Sequence, residues 1–342
     1  MHAKIDTIRY MGNKKKLLNF IIPIIKDHTE IGDTICDIMS GTSSVSYALK
    51  ERNRIITNDI QFYSYIISDA IIKNNSNHDY NKYLNKLIIK YEENMKNPIY
   101  DFFFKNYSDT YFSEMQCREI DSIRYAINFI EKNEVKSVFL TALMGAMSTS
   151  QSTPGHFAQY FNKSHERLRT IRSLKILDVF IGKLKNFKNL VLSDYDNECY
   201  NIDALELIKS NCINDVDTIY IDTPYTGEQY SRFYHILESV CKYDNPVLED
   251  NKGLYRNDRF MSTFSRKTQA LNSFKDLIRG CYAIKKNIIV SYSNKGLISV
   301  DDLLKLVESH CPDVKLYEKE FYHSTQGKGV RDVIEVVIVG NI

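Results

Sequence analysis

Several common chemical signposts are missing from this chain. No run approaches the roughly 18 consecutive apolar residues that a membrane-spanning helix needs, and the longest apolar patch near the start, Phe20 to Ile25, is broken by Pro23. The N-terminus carries no basic region followed by an apolar stretch, so no secretory signal is expected and a cytoplasmic location is. The seven cysteines (Cys36, Cys117, Cys199, Cys212, Cys241, Cys281 and Cys311) are scattered, odd in number and never spaced C-x-x-C. That argues against a disulfide framework and against a zinc site. There is no H-E-x-x-H pair, and no metal is expected. The G-x-G-x-x-G turn of dinucleotide-binding folds is absent too, which disfavours a nicotinamide-dependent dehydrogenase.

An excess of one charge sign is also lacking: 45 basic residues face 43 acidic ones, for a net charge of +2. The distribution is less even. Lys163 to Lys188 holds eight Lys or Arg against two acidic residues, and Arg256 to Lys286 repeats that count. Two basic tracts on a nearly neutral chain point to a one-sided positive surface of the kind that meets nucleic acid. A pair of solvated helix faces is the plain alternative. With 342 residues, 43% of them hydrophobic, the chain can bury one sizeable core, or one core plus a smaller lobe.

The punctuation suggests an α/β core. Thr34–Met39 reads as a short buried strand ending in Ser40-Gly41-Thr42, and a helix-like stretch follows from about Ser43 to Arg52. Arg54–Thr57 reads as the next strand and ends in Asn58-Asp59. Strand, turn, helix and strand in this order mark a doubly wound, mostly parallel sheet. From about Gln61 to Phe139 the pattern is mainly helical. Ser148–Lys163, with Pro154 and Gly155, reads as a loop or hairpin rather than core. Strand signals return at Asn189–Leu192, Thr218–Ile221, Asn287–Tyr292 and Val333–Val339. The expected division is a sheet domain from 1–70 and 187–342, with a mainly helical lobe, 71–186, inserted into it.

Three segments carry the chemistry. Asp37-Ile38-Met39-Ser40-Gly41-Thr42-Ser43-Ser44 places a Gly-containing turn at the carboxyl end of a strand, where open α/β sheets bind ligands; an ordinary tight turn is the plain alternative. Asn58-Asp59 puts a carboxylate after the next strand, suited to ribose hydroxyls or to a helix N-cap. Asp222-Thr223-Pro224-Tyr225 follows the apolar strand Thr218–Ile221. Pro224 biases Thr223 to extended geometry, which can aim its carbonyl outward beside the Asp222 carboxylate. Two acceptors facing one amino group suit the N6 of adenine, and Tyr225 can stack on the base. A capped turn with a packing tyrosine is the alternative.

Together these segments resemble the Dam-like, α-order (D12 class) adenine-N6 DNA methyltransferases, whose cofactor motifs come first and catalytic motif late. Asp37–Ser44 is similar to their first cofactor motif, Asn58-Asp59 to their ribose-binding strand end, and Asp222–Tyr225 to the catalytic Asp-Pro-Pro-Tyr, with Thr223 in place of the first Pro and Ser43 where many relatives have a second Gly. Arg9-Tyr10-Met11-Gly12-Asn13-Lys14-Lys15-Lys16-Leu17-Leu18 resembles the family's N-terminal motif, and Asp203 its adenine-binding acid. Gln229–His235 and Val290–Asn294 also fit, so the resemblance runs over most of the chain in the family's order.

The resemblance implies a Rossmann-like methyltransferase sheet, S-adenosyl-L-methionine as cofactor and double-stranded DNA as substrate. A separately acting cognate restriction endonuclease is a candidate partner, and an orphan methylase is the other context. It implies that Asp37, Ser40 and Gly41 hold the methionine end of the cofactor, with Met39, Thr42 and Ser43 beside them. Asp59 takes the ribose, Tyr10 and Ile60 the adenine, and Asp203 its amino group; Met11, Gly12, Lys14, Ala204 and Asp222 complete the cofactor set. Asp222, Thr223, Pro224 and Tyr225 form the catalytic set on a flipped-out adenine. Sequence recognition falls to the inserted lobe. Gln151, His156, Gln159 and Asn162 suit base edges, Phe157 or Tyr160 the gap left by the flipped base, and Lys163, Arg167, Arg169 and Arg172 the phosphates. Lys14, Tyr230 and Arg232 are further DNA candidates; for each single residue an ordinary surface role remains open. An RNA adenine methyltransferase and a non-catalytic DNA-binding regulator on the same fold are the rival functions.

Overall fold

A computed structural model describes residue 5 and residues 7–249, 253–323 and 330–342. Among these, the strands are β1 (Thr34–Asp37), β2 (Arg54–Asn58), β3 (Glu198–Tyr200), β4 (Thr218–Ile221), β5 (Asn287–Ser293), β6 (Asp313–His323) and β7 (Val330–Asn341). They form one sheet in the order β3-β2-β1-β4-β5-β7-β6. The first five strands in that order are parallel, while β7 runs antiparallel to both β5 and β6. From β1 the chain winds outward through β2 and β3, then restarts beside β1 with β4 and winds the other way. The carboxyl ends of β1 and β4 therefore flank the switch point where such sheets open a crevice for ligands.

All four residues of β1 and of β4 are buried, as expected for parallel strands covered on both faces. One face packs Cys36, Ile219, Ile221, Ile288 and Val290 against helix Ala270–Ala283 through Phe274, Leu277, Ile278 and Cys281. Those helix positions follow the spacing of a single apolar stripe. The strands expected at 34–39, 54–57, 218–221, 287–292 and 333–339 are all present, with ends shifted by a few residues. The strand expected at Asn189–Leu192 is not. Residues Asn186–Asn189 form a short 3-10 turn, and the strand beside β2 is β3, where Asn197 Oδ1 accepts the Ile55 N–H at 2.8 Å.

The chain divides into two compact units. The sheet unit comprises Gly12–Ile60, Ser193–Gln229 and Met261–Ile342; the helical unit comprises Met1–Met11, Gln61–Leu192 and Tyr230–Phe260. These seams differ from a single insertion at 71–186, and the reason lies in Tyr230–Phe260. Within the helical unit, the Glu238 carboxylate accepts the N–H groups of Phe62 and Tyr63 at 3.2 and 3.1 Å, capping helix Phe62–Ser68. Arg124, 4% exposed, donates to the carbonyls of Val240 and Cys241 at the end of helix His235–Lys242. Helix Asn133–Ser150 is buried along nearly its whole length. A Cβ on its Gly145 would lie 2.7 Å from the Thr7 carbonyl, so glycine there admits the N-terminal segment, which Arg9 N–H secures on Ser148 Oγ at 3.0 Å.

Candidate active site

At the carboxyl edge of the sheet unit, β1 ends in Asp37 and the chain turns through Ile38–Ser43. Gly41 and Ser43 both take left-handed backbone conformations, φ 51° and 54°. Glycine adopts that region freely; serine does so at some cost. The turn is pinned from below. Ser40 N–H donates to the Asn58 carbonyl at 2.9 Å, and Gly41 N–H donates to Asp59 Oδ2 at 2.9 Å. The acid at the end of β2 thus shapes the turn at the end of β1. Asn58, 1% exposed, bonds the Ile38 carbonyl at 3.1 Å and both backbone groups of Ile202 at 3.0 and 3.1 Å. It joins the ends of β1, β2 and the segment after β3.

Asp37 is 3% exposed. Its Oδ2 accepts from Ser46 Oγ at 2.5 Å, while Oδ1 is buried without a hydrogen-bond partner. Burial pushes this carboxyl up to about 7, against the Ser46 hydrogen bond. A buried carboxylate oxygen left without a donor fits an ammonium-bearing ligand.

Asp222 follows β4, and its side chain keeps one-fifth of its exposure. Lys14 Nζ lies 2.7 Å from Asp222 Oδ1, and Tyr225 Oη donates to the same oxygen at 3.1 Å. Burial raises the Asp222 carboxyl, and the Lys14 ammonium opposes that rise. The Lys14 ammonium also stands 4.2 Å from the centroid of the Tyr225 ring. Tyr225 packs edge-on against Tyr292, centroids 5.3 Å apart, and its carbonyl accepts from Leu297 N–H at 2.9 Å. Thr223 is 2% exposed, and its Oγ1 is buried without a partner.

Lys14 reaches Asp222 because Gly12, at φ 71°, turns the chain, and Asn13 caps the short 3-10 turn Lys14–Lys16 by accepting from Lys15 N–H at 2.8 Å. Asn13 Nδ2 also donates to Thr42 Oγ1 at 3.3 Å, and Asn13 Oδ1 accepts from Ser44 Oγ at 3.2 Å. Asn13, Ser46 and Asn58 hold the site together. Asn13 and Asn58 lie inside segments that the sequence singled out, without a contact assigned to either, and Ser46, two residues past the first cofactor segment, was not singled out. Asp203 caps helix Ala204–Leu207 by accepting from Leu205 N–H at 2.8 Å, and Ala204 lies in the apolar core. Met39 is half-buried against that core. Ile60 is half-buried as well, and Asn201 Nδ2 donates to the Asp59 and Ile60 carbonyls at 2.7 and 3.0 Å.

The sequence model of the D12 class N6 adenine-specific DNA methyltransferases matches residues 10–304. The chain belongs to that family. It is 30% identical over 322 residues to Modification methylase LlaI of Lactococcus lactis subsp. lactis, covering 90% of this chain and 49% of LlaI. It is 30% identical over 348 residues to Type II methyltransferase M.FokI of Planomicrobium okeanokoites, covering 96% and 51%. Type II methyltransferase M.NlaIII of Neisseria lactamica is 26% identical over 324 residues, 88% of each protein. The chain thus spans about half the length of LlaI and M.FokI. Membership in a methyltransferase family implies a methyl donor and DNA as the acceptor. Among the described residues no cluster of three His, Cys, Asp or Glu could hold a metal, and no helix is long and apolar enough to cross a membrane.

Pro224, half-buried, follows Thr223 in the sheet unit, and the helical unit of this D12-class chain holds Tyr10, Met11 and the residues expected at DNA other than Lys14. Tyr10 stacks on Tyr234 with centroids 4.8 Å apart and lies 5.1 Å from Tyr230. Tyr234 Oη accepts from Met11 N–H at 2.8 Å, and Tyr230 Oη donates to the Met11 carbonyl at 3.1 Å. Gln151 is buried, bonded to the Ser148 carbonyl and Thr153 Oγ1. Phe157 is 1% exposed, ringed by Tyr111 and Phe112, with its N–H on the Phe233 carbonyl. As folded, Gln151 and Phe157 are interior residues, so the loop at 151–163 carries more core than its composition suggested. His156 meets the Phe233 ring edge-on at 4.5 Å, and Tyr160 meets Tyr111 at 5.3 Å; both are half-buried. Gln159, Asn162, Lys163, Arg167, Arg169 and Arg232 are exposed. Arg172 is held by Asp109 at 3.4 Å and by Ser152 Oγ at 3.3 Å.

Proposed function

We propose that this chain transfers a methyl group from S-adenosylmethionine to the exocyclic N6 of an adenine flipped out of duplex DNA, at a specific sequence, as a modification enzyme. The observation that carries the reading is the end of β4, where the Asp222 carboxylate, the Thr223 backbone and the Tyr225 ring follow one another beside a buried carboxylate oxygen of Asp37 with no partner. When bound, S-adenosylmethionine supplies a methyl group on a positively charged sulfur. Asp37 Oδ1 is suited to the ammonium of its amino-acid end, the turn Ser40–Ser43 to the neighbouring carboxylate, and Asp59 to the ribose.

The chain's own contribution is orientation and electrostatics. Asp222 accepts a hydrogen bond from the target amino group and the Thr223 carbonyl accepts the second. Two acceptors on one nitrogen draw its hydrogens from the base plane and leave its lone pair available. The Tyr225 ring stacks on the base, with Tyr292 behind it. The base must leave the duplex to reach these groups. Asp222 is also placed to take the proton that the nitrogen loses. Gln159, Asn162, Tyr160, Lys163, Arg167, Arg169 and Arg232 are assigned to DNA in this reading, in a recognition lobe that includes 71–186. Acting on the cell's own DNA, the enzyme works in the cytoplasm.

The test is methyl transfer from labelled S-adenosylmethionine to unmethylated DNA, followed by sequencing that detects modified bases. N6-methyladenine at one recurring motif supports the reading and supplies the recognition site. Label on RNA but not on DNA, from protein that binds the cofactor, overturns it in favour of an RNA enzyme.

A further inference from the structure

Lys14 occupies the place that the proposed reaction assigns to the substrate. Its Nζ is 2.7 Å from Asp222 Oδ1, the side chain is 5% exposed, and the ammonium stands 4.2 Å from the centre of the Tyr225 ring. A target amino group needs the same two things: the Asp222 carboxylate as acceptor and the Tyr225 face for its base. A base stacked on Tyr225 lies at the ~3.5–4 Å of ordinary carbon contact. The ammonium and a stacked base therefore compete for one volume.

A second buried carboxyl group lies on the same face of the sheet as Asp37. Glu335, 3% exposed, stands on β7 opposite Ser293 of β5. Cross-strand partners share a face and residues two apart return to it. The registers Asp37↔Tyr220, Tyr220↔Ile289 and Ser293↔Glu335 thus align Asp37, Tyr220, Ser291, Ser293 and Glu335 along one side of the sheet. Glu335 interacts electrostatically with Lys14, attractively, and with Asp222, repulsively; burial pushes its carboxyl up to about 7. A buried ammonium stripped of its carboxylate is strongly disfavoured, so the presence of a second anion decides whether Lys14 can move.

We propose that the Lys14 ammonium is a resident stand-in for the target amino group, which the incoming base displaces, and that Glu335 is the positioning residue that holds Lys14 once displaced. The inference rests on the adenine-methylation reading. It makes Lys14 a specificity filter: only a base that both donates an amino hydrogen to Asp222 and stacks on Tyr225 replaces both contacts that Lys14 gives up. A base that makes either contact imperfectly, as an adenine presented outside the recognised motif does, leaves Lys14 in its seat.

The experiment compares wild type, Lys14→Met, Glu335→Gln and the double variant at saturating S-adenosylmethionine on unmethylated phage DNA, with modified bases mapped and kinetics measured on a duplex carrying the motif that wild type marks. Lys14→Met is expected to raise off-motif relative to on-motif methylation about tenfold. Glu335→Gln is expected to lower kcat/KM about tenfold in the wild-type background and to cost nothing further beside Lys14→Met. Equal costs of Glu335→Gln in both backgrounds, or an unchanged off-motif fraction in Lys14→Met, overturn the inference while the wild-type arm still upholds the enzyme reading. Absence of DNA adenine methylation in the wild-type arm sinks that reading and the inference with it. Should Lys14→Met not fold, side-chain ammonium NMR of the wild type, assigned with Lys14→Arg, replaces it: the Lys14 signal shifts when the motif duplex is added, and an unmoved signal overturns the inference.

Discussion

Ser46 donates to Asp37 Oδ2 at 2.5 Å and leaves Oδ1 of the same carboxylate buried without a partner. One oxygen is fixed by the fold and the other awaits a donor. Asp37→Asn keeps the size and the Ser46 neighbour but replaces an acceptor of an ammonium by a neutral amide. It should weaken S-adenosylmethionine binding at least about tenfold, roughly 1.4 kcal/mol, with the fold intact. Isothermal titration beside a circular dichroism spectrum checks this; unchanged affinity would remove Asp37 from the cofactor set.

The same carboxyl gives a pH dependence. In the fold it is pushed up to about 7 by burial, above its unfolded value near 4. The folded state then binds a proton more tightly than the unfolded chain. Its stabilising effect is complete below about pH 4 and is lost as pH rises through about 7. Glu335, also pushed to about 7 by burial, acts in the same direction. The melting temperature of the cofactor-free protein should fall between about pH 5 and pH 8, and less steeply in Asp37→Asn. An ammonium ligand favours the ionised carboxyl, so cofactor affinity should rise across the same window.

Gly296 tests how the aromatic wall is built. A Cβ there would lie 2.3 Å from the Tyr292 ring. Tyr292 is 1% exposed and packs on both Tyr225 and Phe274, and its Oη accepts from Ile298 N–H at 3.2 Å. Gly296→Ala must move that ring. Overpacking of this kind costs about 1–3 kcal/mol, read as a lower urea midpoint, and the displaced Tyr225 should lower kcat more than it changes cofactor affinity.

Thr223 separates backbone from side chain. In the proposed mechanism only its carbonyl acts, and its hydroxyl is buried without a partner. Thr223→Val should leave methyl transfer within about twofold and raise stability by roughly 1 kcal/mol, because an unsatisfied buried polar group is removed. A large loss of activity would give the hydroxyl a role.

Much of this architecture was legible in the residues. The strand Thr218–Ile221 and the turn after Asp37 could be found because short apolar runs end in small polar residues at parallel-strand termini. β3 was not legible, because three half-exposed residues, Glu-Cys-Tyr, carry no apolar run; its pairing depends on Asn197 and β2 instead. β6 was hidden by the charges of an edge strand, Lys315, Glu318, Lys319 and Glu320 among them, a composition that discourages unwanted pairing. At the site, motif residues were readable but their internal partners were not. Gly41 spends its N–H on Asp59, and Lys14 turns inward to Asp222 rather than outward. The burial of Phe157 and Gln151 was not legible, because a polar, Gly- and Pro-bearing stretch reads as surface, whereas the burial of Phe157 depends on distant Tyr111, Phe112 and Phe233.

The most direct measurement is nucleoside mass spectrometry of DNA digested after incubation with S-adenosylmethionine and either wild type or Asp222→Ala. The account predicts N6-methyldeoxyadenosine with wild type, and none with Asp222→Ala even though that variant still binds the cofactor. A methylated cytosine, or equal N6-methyldeoxyadenosine from both proteins, would contradict it.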